Sequence, residues 1–227
     1  MVETGYQRTH VDVAALRGAI ADEVFDYQTL MHVLRGYAHP RSRITTLLQR
    51  GTVMRVKKGI YVFDARLRRR PVSREHLSNL LYGPSYISRE YALGFHGLIP
   101  EQVSVVTAVT TGGARRFHTP LGIFTYDALP DAAYAVGYSL VDLGSHTVLM
   151  ASPEKALADL VHFQRGLRLR SQRDVAQLLF EDLRIDEEAL ADFDRIVMSD
   201  IERHAASQRV RALMRTLLRW RGEVGDA

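Results

Sequence analysis

Basic residues in the first third of the chain have the types and spacing needed to bind a nucleic acid. Lys57 and Lys58 precede Gly59 in the stretch 51–63, where two short runs of strand-forming residues flank the glycine. This pattern is typical of a β-hairpin with a charged turn. Lysine ammonium groups at such a turn can bind the phosphates of a DNA backbone. The alternative is a solvated turn whose charge only keeps the sheet edge from aggregating.

A second basic group precedes the hairpin, at the start of a helical pattern over residues 41–51. Arginine donates two hydrogen bonds to O6 and N7 of guanine, so arginines at the start of this helix could read bases in the major groove. Together with the lysines they form the predicted DNA-binding set, which is Arg41, Ser42, Arg43, Thr45, Thr46, Arg50, Lys57 and Lys58.

The elements that must position these residues are three helices followed by the hairpin. Apolar spacing predicts helices over 11–22, 26–36 and 41–51. Asp26 suits the N-cap of the second helix, and Pro40 suits the start of the third. The order helix, helix, short turn, helix, hairpin is that of a winged helix-turn-helix, whose third helix enters the major groove. The alternative is a small helical domain whose exposed face is basic.

Charge is distributed unevenly along the 227 residues, whose formal net charge is +4. Residues 1–72 hold 13 Lys and Arg against 6 Asp and Glu, giving +7, whereas residues 73–227 hold 17 against 20, giving −3. Such asymmetry is typical of a nucleic-acid-binding module joined to a domain of another kind. We therefore predict a DNA-binding domain over 1–65 and a second domain over 73–227. Between them, 66–72 is predicted to be a basic linker that is either solvated or in contact with DNA.

The composition excludes several classes of site and of protein. The chain contains no cysteine, which excludes disulfides, zinc sites with thiolate ligands and cysteine nucleophiles. Because 46% of the residues are hydrophobic, a sizeable core can form and general disorder is not expected. No apolar run reaches the length of a membrane span, and the first residues lack a signal-peptide pattern. We therefore expect a cytoplasmic protein without membrane contact.

The second domain is predicted to combine a sheet with helices, which makes the whole chain an α+β protein. A helix over 73–83 comes first, and a second helix follows within 84–100, with Ser88 as its N-cap and Gly97 as its stop. Strands joined by short turns follow, and short connections favour a mainly antiparallel sheet. The predicted strands are 103–110, 115–119, 121–129, 134–144 and 146–152. The C-terminal part is predicted to be helical, over 152–163, 171–184, 186–199 and 201–220.

Residues that could carry catalysis lack the partners that catalysis requires. The nine histidines show no metal-binding spacing, and there is no phosphate-binding loop, dinucleotide fingerprint or nucleophile elbow. Lys155 and Asp159 are spaced to form a surface ion pair on one helix, and Glu154 suits its first turn. Ser88 has no evident histidine and acid partner. We expect no catalytic residue, no metal site and no cofactor.

Three stretches of the sequence resemble one known family. They are PSYISREYALGFHGLIP at 84–100, RRFHTPLGIFTY at 115–126 and ASPEKALADLVHF at 151–163. In order and spacing they are similar to the AbiEi family, the antitoxins and transcriptional regulators of type IV toxin–antitoxin systems. The resemblance covers about residues 10–165. The residues that it singles out as an antitoxin-domain motif are Tyr86, Ser88, Gly97, Pro100, Pro153, Glu154, Lys155 and Asp159.

This resemblance implies a winged helix that binds inverted repeats in double-stranded DNA upstream of its own operon and represses transcription. It also implies a C-terminal domain that counteracts a neighbouring toxin of the nucleotidyltransferase type. That domain is not itself an enzyme, and a stable complex with the toxin is not required. An operator of inverted repeats implies two copies per site, from a monomer or a DNA-assisted dimer.

Two other hypotheses follow from the residues. The protein could be a stand-alone winged-helix transcriptional regulator whose second domain senses a ligand or assembles subunits. It could also be an enzyme in residues 73–227 with a nucleic-acid-docking module in front. The enzyme hypothesis requires an apolar cleft with converging carboxylates or histidines.

Overall fold

The computed structural model of the protein describes residues 10–225. Within that range it is an α+β protein with eleven α-helices, an antiparallel sheet of three strands and a mixed sheet of six strands. The chain forms two compact units. The first ends at Ser73 and includes Thr119–Leu121, and the second comprises Arg74–His118 and the chain from Gly122 onward. Among the described residues, no helix is both long and apolar enough to cross a membrane.

The first unit contains three helices and the small sheet. In chain order its elements are α1 (Val13–Ala19), β1 (Val24–Asp26), α2 (Tyr27–Val33), α3 (Pro40–Gln49), β2 (Val53–Lys57) and β3 (Ile60–Phe63). The strand order is β1-β3-β2, and both pairings are antiparallel. The predicted helices and hairpin are confirmed. Strand β1 is absent from the prediction because three residues directly before a helix cap are too few to show an alternating pattern.

Local signals in the sequence set the ends of these elements. Asp26 accepts a hydrogen bond from the Thr29 N–H at 2.8 Å, which caps α2 and lowers the pKa of Asp26. Pro40 occupies the first turn of α3, and Gly51 follows its end with a φ of 65°. Gly59 has a φ of 89° in the hairpin turn. A glycine therefore follows the two lysines because this turn needs a left-handed residue.

A buried ion pair lies beside the core of the first unit. Arg17 donates to Glu23 Oε1 at 2.5 Å, and the two side chains are only 8% and 3% exposed. The Arg17 guanidinium also lies 4.6 Å from the centre of the Phe63 ring, and its Nε donates to the Leu67 carbonyl at 3.0 Å. Because a buried charge is costly unless it is paired, these contacts fix α1 against β3 and the residues after it. The surrounding core includes Leu16, Ile20, Phe25, Leu30, Ile44, Leu47 and Phe63.

Most of the segment 66–72, predicted to be a linker, is bound to the first unit. Its arginines donate hydrogen bonds to oxygens of that unit, and these oxygens come together only in the folded chain. The bonds run from Arg68 Nε to Phe63 O at 2.8 Å, Arg69 N to Glu23 Oε1 at 3.1 Å, Arg69 Nη2 to Arg17 O at 3.0 Å and Arg70 Nη2 to Asp22 Oδ1 at 2.8 Å. The run of arginines is therefore part of the folded unit and not a free linker, whereas contact of its exposed residues with DNA stays a prediction.

The buried pair makes a testable prediction for stability. Glu23→Ala leaves Arg17 buried without its carboxylate and removes the acceptor of the Arg69 N–H. We expect the free energy of unfolding to fall by about 3 kcal/mol, measured by urea denaturation of the full chain. Asp22→Ala, which removes an exposed ion pair with Arg70, is the control and should cost less than about 1 kcal/mol. Equal losses in the two variants would contradict a structural role for the buried pair.

The second unit contains the six-stranded sheet and eight of the helices described. The strands are β4 (Ser85–Ile87), β5 (Val106–Thr110), β6 (Arg115–Thr119), β7 (Gly122–Ala128), β8 (Tyr138–Asp142) and β9 (Thr147–Ala151). The helices are α4 (Arg74–Leu81), α5 (Arg89–Phe95), α6 (Asp131–Tyr134), α7 (Pro153–Phe163), α8 (Gln172–Ala176), α9 (Glu187–Leu190), α10 (Arg195–Arg203) and α11 (Gln208–Gly225). A π-helical segment, Gln177–Asp182, continues α8.

The large sheet is mixed, which corrects the prediction of a mainly antiparallel sheet. Its strand order is β6-β7-β5-β4-β9-β8. The pairs β4–β5 and β8–β9 are antiparallel, whereas β5–β7 and β4–β9 are parallel. The chain leaves β5, forms β6 at the sheet edge and returns to place β7 beside β5, so β5 and β7 run in the same direction. Strand β4 is missing from the prediction because all three of its residues are buried and show no alternation.

The helix predicted within 84–100, between Ser88 and Gly97, is confirmed as α5, and Gly97 follows its end with a φ of 72°. The residues before Ser88 form β4. Helix α7 matches its prediction, since Ser152 Oγ accepts the Lys155 N–H at 3.3 Å and Pro153 occupies the first turn.

The remaining C-terminal residues are helical as predicted, but with other bounds. The prediction over 171–184 corresponds to α8 and the π-helical segment, and the predictions over 186–199 and 201–220 correspond to α9, α10 and α11. Asp194 accepts the Ile196 N–H at 2.7 Å and so begins α10 inside a stretch predicted to be one helix.

Candidate functional sites

The exposed face of α3 carries polar residues that can reach a ligand. The opposite face packs into the core through the buried side chains of Ile44 and Leu47. Thr45 Oγ1 donates to the Arg41 carbonyl at 3.3 Å, and its oxygen still has lone pairs facing outward. The exposed residues of this face are Arg41, Ser42, Thr45 and Gln49.

Three other members of the predicted DNA-binding set lie on the flank or at the end of α3. Arg43 is half-buried, and its Nε is buried without a hydrogen-bond partner. Thr46 Oγ1 donates to the Ser42 carbonyl at 3.1 Å. Arg50 lies at the C-terminal end of the helix with its guanidinium 2.7 Å from His10 Nε2. The structure therefore brings only Arg41, Ser42 and Thr45 of this helix onto one exposed face.

The hairpin turn presents one fully exposed lysine. Lys58 is exposed at the turn, whereas Lys57 is half-buried at the end of β2 and pairs with Ile60 in the strand register. The turn is attached to the rest of the unit, because the Gly59 carbonyl accepts the Tyr27 N–H at 2.9 Å. The turn that carries Lys58 is therefore hydrogen-bonded to the first residue of α2.

Some cations of the first unit are available to an anion and others are not. Four exposed cations make no ion pair or side-chain hydrogen bond with any residue in the range 10–225. They are Arg35, Arg41, Arg55 and Lys58. Sequence reasoning missed Arg35 and Arg55, although Arg55 stands at a polar position of the β2 alternation and Arg35 at the end of α2. By contrast Arg17 is buried in an ion pair with Glu23, and Arg68 and Arg69 donate hydrogen bonds to backbone carbonyls of the unit.

A buried polar network joins four residues of the second unit. Asp159 Oδ2 accepts hydrogen bonds from Ser88 Oγ at 2.7 Å and from the Tyr86 hydroxyl at 3.0 Å. Its Oδ1 accepts from Lys155 Nζ at 2.7 Å, and the same ammonium donates to the Ala133 carbonyl at 2.9 Å. Both carboxylate oxygens are therefore satisfied by donors from three different elements.

The burial of this network corrects two predictions. Lys155 and Asp159 pair as predicted, but they are 2% and 1% exposed instead of lying at the surface, and Glu154 is also buried. Ser88 occupies the N-cap position of α5, yet its hydroxyl makes no capping hydrogen bond and donates to Asp159 instead. Helix α7 is covered on several sides, by β9, α5, α10 and α11, and short-range sequence patterns do not reveal such covering.

The network holds its protons in place and leaves no room for a substrate. Burial, and then the charge of Asp159, raises the pKa of Tyr86 far above its ordinary value, so the hydroxyl stays protonated and donates. The cavity beside Lys155 and Asp159 measures only about 10 Å³, which is the space of about one water molecule. The lysine that would have to activate Ser88 is bound to the carboxylate between them, so this arrangement is suited to stability.

The other motif residues have separate structural roles. Glu154 Oε1 accepts the Asp194 N–H at 2.6 Å and so fixes the start of α10. Pro153 begins α7, and Gly97 ends α5. Pro100 is exposed at an open groove of about 740 Å³ in the second unit. Four of the eight motif residues therefore belong to the buried network, and the other four lie outside it.

Two carboxylates face an open groove but are already bound. Glu90 and Asp127 line a groove of about 410 Å³, and both accept hydrogen bonds from Arg89. Arg89 has a φ of 60°, a strained conformation for a residue with a side chain, and the two carboxylates hold it there. Arg89 therefore binds both carboxylates at the start of α5, and the second oxygen of Glu90 is buried without a hydrogen-bond partner among the described residues.

His96 and His162 are half-buried, and each has a local explanation. His96 Nε2 lies 2.8 Å from the Ala151 carbonyl. Burial lowers the pKa of His162, whose Nδ1 has no hydrogen-bond partner within the described chain. Between residues 10 and 225, no group of three or more His, Asp or Glu side chains could hold a metal ion.

Comparison with known proteins adds no family assignment. No family model matches the sequence, and no curated protein matches it. Function must therefore be inferred from the arrangement of the described residues and from the resemblance of the three sequence stretches.

The buried carboxylate makes a second stability prediction. Asp159→Ala leaves the Lys155 ammonium buried without a counter-charge and removes the acceptor of two hydroxyls. We expect a loss of about 3 kcal/mol or more in the free energy of unfolding, and little effect from Asp200→Ala, whose exposed pair with Arg203 is the control.

A double variant separates charge from packing. Lys155→Met with Asp159→Leu removes both charges at similar volume, and it should be less destabilised than Asp159→Ala alone. A double variant at least as unstable as the single one would show that the ion pair is not what Asp159 contributes.

Proposed function

We propose that this protein is a DNA-binding antitoxin of the AbiEi type, whose first unit is a winged helix-turn-helix that represses its own toxin–antitoxin operon. The observation that carries the proposal is the set of uncompensated cations on α3 and the hairpin of the first unit. A carboxylate within the unit would neutralise such cations, and none of the described carboxylates does so. Exposed cations of this kind are what a phosphate backbone binds.

The order of elements supports the winged-helix part of the proposal. Strand β1 lies between α1 and α2, and the hairpin β2–β3 follows α3 directly. Helices α2 and α3 are joined by the six residues 34–39, so they follow each other closely along the chain. In such a module the third helix enters the major groove and the hairpin contacts the backbone.

Each exposed side chain has a proposed contact. Arg41 is placed to donate two hydrogen bonds to guanine, and the amide of Gln49 can pair with adenine. Ser42 and Thr45 can bind either bases or phosphates. Lys58 and Arg55 on the hairpin are proposed to bind phosphates, which position the module without reading sequence. Two copies of the chain on an inverted repeat would complete one operator.

The second unit is proposed to counteract a neighbouring nucleotidyltransferase-type toxin without catalysis and without a cofactor. The polar residues of its motif support this, because Tyr86, Ser88, Lys155 and Asp159 are occupied with one another. A stable complex with the toxin is not required by the proposal. The protein would act in the cytoplasm, where the operon and the toxin are found.

A second candidate function is a stand-alone transcriptional regulator with a ligand-sensing domain. An apolar pocket of about 340 Å³ in the C-terminal helices favours it. The two functions differ in one respect: only the antitoxin requires a toxin gene beside its own and protects cells from that gene.

The DNA-binding proposal predicts distinct effects for two cations. Arg41→Ala should weaken binding to the upstream region by about tenfold or more and relax sequence preference, since one bidentate contact contributes about 1–3 kcal/mol. Lys58→Ala should weaken binding to all DNA alike and reduce the salt slope by about one. The measurement is a mobility-shift titration of the full chain on the DNA upstream of its gene, with unrelated DNA of equal length, at several salt concentrations.

Arg66→Ala provides the matched control for this titration. Arg66 is exposed like the others but is paired with Asp64 at 2.7 Å, so its removal should leave binding unchanged. If Arg41→Ala and Lys58→Ala bind as tightly as the parent while Arg66→Ala does not, the interface has been placed on the wrong residues. Equal binding of the parent to both DNA fragments would contradict autorepression.

The two activities should also separate genetically. A full-length variant carrying Arg41→Ala and Lys58→Ala should lose repression of a reporter fused to the upstream region. It should still protect cells in which the neighbouring toxin is expressed, because the second unit is unchanged. Loss of protection at equal protein level would show that neutralisation depends on DNA binding. A parent that gives no protection would favour the stand-alone regulator.

A further inference from the structure

The C-terminal helices of the second unit enclose an apolar pocket of about 340 Å³. Its volume lies within the range of pockets that hold small molecules. The floor is formed by side chains that are almost completely buried, and the lining is mostly apolar. The floor residues are Leu190, Phe193, Met198 and Leu217.

Two aromatic rings form one side of the pocket. Phe180 and Trp220 are both half-buried, and their rings are stacked with centroids 6.1 Å apart and planes inclined by 21°. Phe180 belongs to the π-helical segment Gln177–Asp182, where the Leu183 N–H bonds the Leu178 carbonyl at 2.9 Å. Such single π-helical turns in an otherwise α-helical chain occur frequently at functional sites.

Two opposite charges also line this pocket without pairing. Glu187 is exposed and Arg221 is half-buried, and the structure records no ion pair for either within residues 10–221. The Nε of Arg221 is buried and has no hydrogen-bond partner among the described residues. Because Arg221 lines the pocket and makes no ion pair within this range, a carboxylate bound in the pocket can supply its counter-charge.

We propose that the pocket binds a free α-amino acid with a large apolar side chain. The carboxylate of the ligand would accept hydrogen bonds from Arg221, whose planar fork suits a carboxylate. The ammonium group would face Glu187. The apolar side chain would occupy the floor and lie against Phe180 and Trp220, where burial of its surface contributes most of the binding free energy.

Other ligand classes match these charges less well. A fatty acid or another simple carboxylate pairs with Arg221 but leaves Glu187 without a counter-charge. A neutral apolar molecule leaves both charges without a partner. A zwitterion supplies a counter-charge to both side chains. The site is separate from the proposed DNA-binding residues, and the inference does not depend on the antitoxin function.

Occupation of the pocket would act on the fold around it. Helices α10 and α11 contribute to the lining and also pack on α7, which carries Lys155 and Asp159. A ligand that binds only the folded state stabilises it in proportion to the logarithm of its concentration. The amino acid would thereby control how much of the second unit is folded.

Trp220 makes the test direct, because it is the single tryptophan of the chain. The full chain is titrated with L-leucine and with L-phenylalanine while tryptophan emission is recorded, and its thermal unfolding is followed at the same concentrations. We expect a saturable change with one of them at a Kd below about 1 mM. Two matched compounds that lack one charge, 4-methylpentanoate and 3-methylbutylamine, should bind at least about tenfold more weakly than leucine.

Variants assign the binding to this pocket. Arg221→Gln and Glu187→Gln should each weaken binding by about tenfold, and Ala191→Leu at the pocket lining should weaken it by filling space. Arg219→Gln, an exposed neighbour on the same helix, is the control and should bind as the parent does. The proposal is overturned if neither amino acid, at concentrations up to about 10 mM, changes the tryptophan emission or the unfolding temperature. It is also overturned if 4-methylpentanoate binds as tightly as leucine, or if the Arg221→Gln variant binds leucine as the parent does.

Discussion

The second unit depends on one buried carboxylate. Asp159 accepts hydrogen bonds from Tyr86 in β4, from Ser88 at the start of α5 and from Lys155 in α7. Lys155 extends the network to the Ala133 carbonyl in α6. Because a charge in the interior must be surrounded by donors, these four elements have to arrive in one arrangement. A displaced strand or helix would leave a charge uncompensated, which makes alternative packings of the sheet against α7 unfavourable.

The same network shows what a sequence can and cannot predict. Spacing alone predicts that Lys155 and Asp159 pair on one helix, and cap signals place the start of that helix at Ser152 and Pro153. The burial of the pair is not predictable in this way, because the covering helices α10 and α11 come much later in the chain. The parallel pairing of β5 with β7 escapes prediction for a related reason: it depends on where β6 lies in the sheet, and short-range patterns carry no information on strand order.

Charge in the first unit gives a second example. The excess of basic residues correctly marks this part of the chain as distinct, but it overstates the charge that a ligand can meet. Arg17, Arg68 and Arg69 are bound to carboxylate or carbonyl oxygens of their own unit. Only the folded chain distinguishes these from Arg35 and Arg55, whose side chains are exposed and unpaired within the described range. A count of arginines therefore does not identify which side chains a ligand can contact.

The bond between the Gly59 carbonyl and the Tyr27 N–H has a consequence for how the hairpin can work. Ordering a free loop costs about 1–2 kcal/mol per residue in backbone entropy, and this turn is already ordered before any ligand arrives. Only the side chain of Lys58 remains to be immobilised. The reach of the hairpin is also fixed, because extra residues in the turn would break its attachment to α2. A ligand that binds Lys58 would therefore meet a turn whose backbone is already ordered, and would have to fit the shape of that turn.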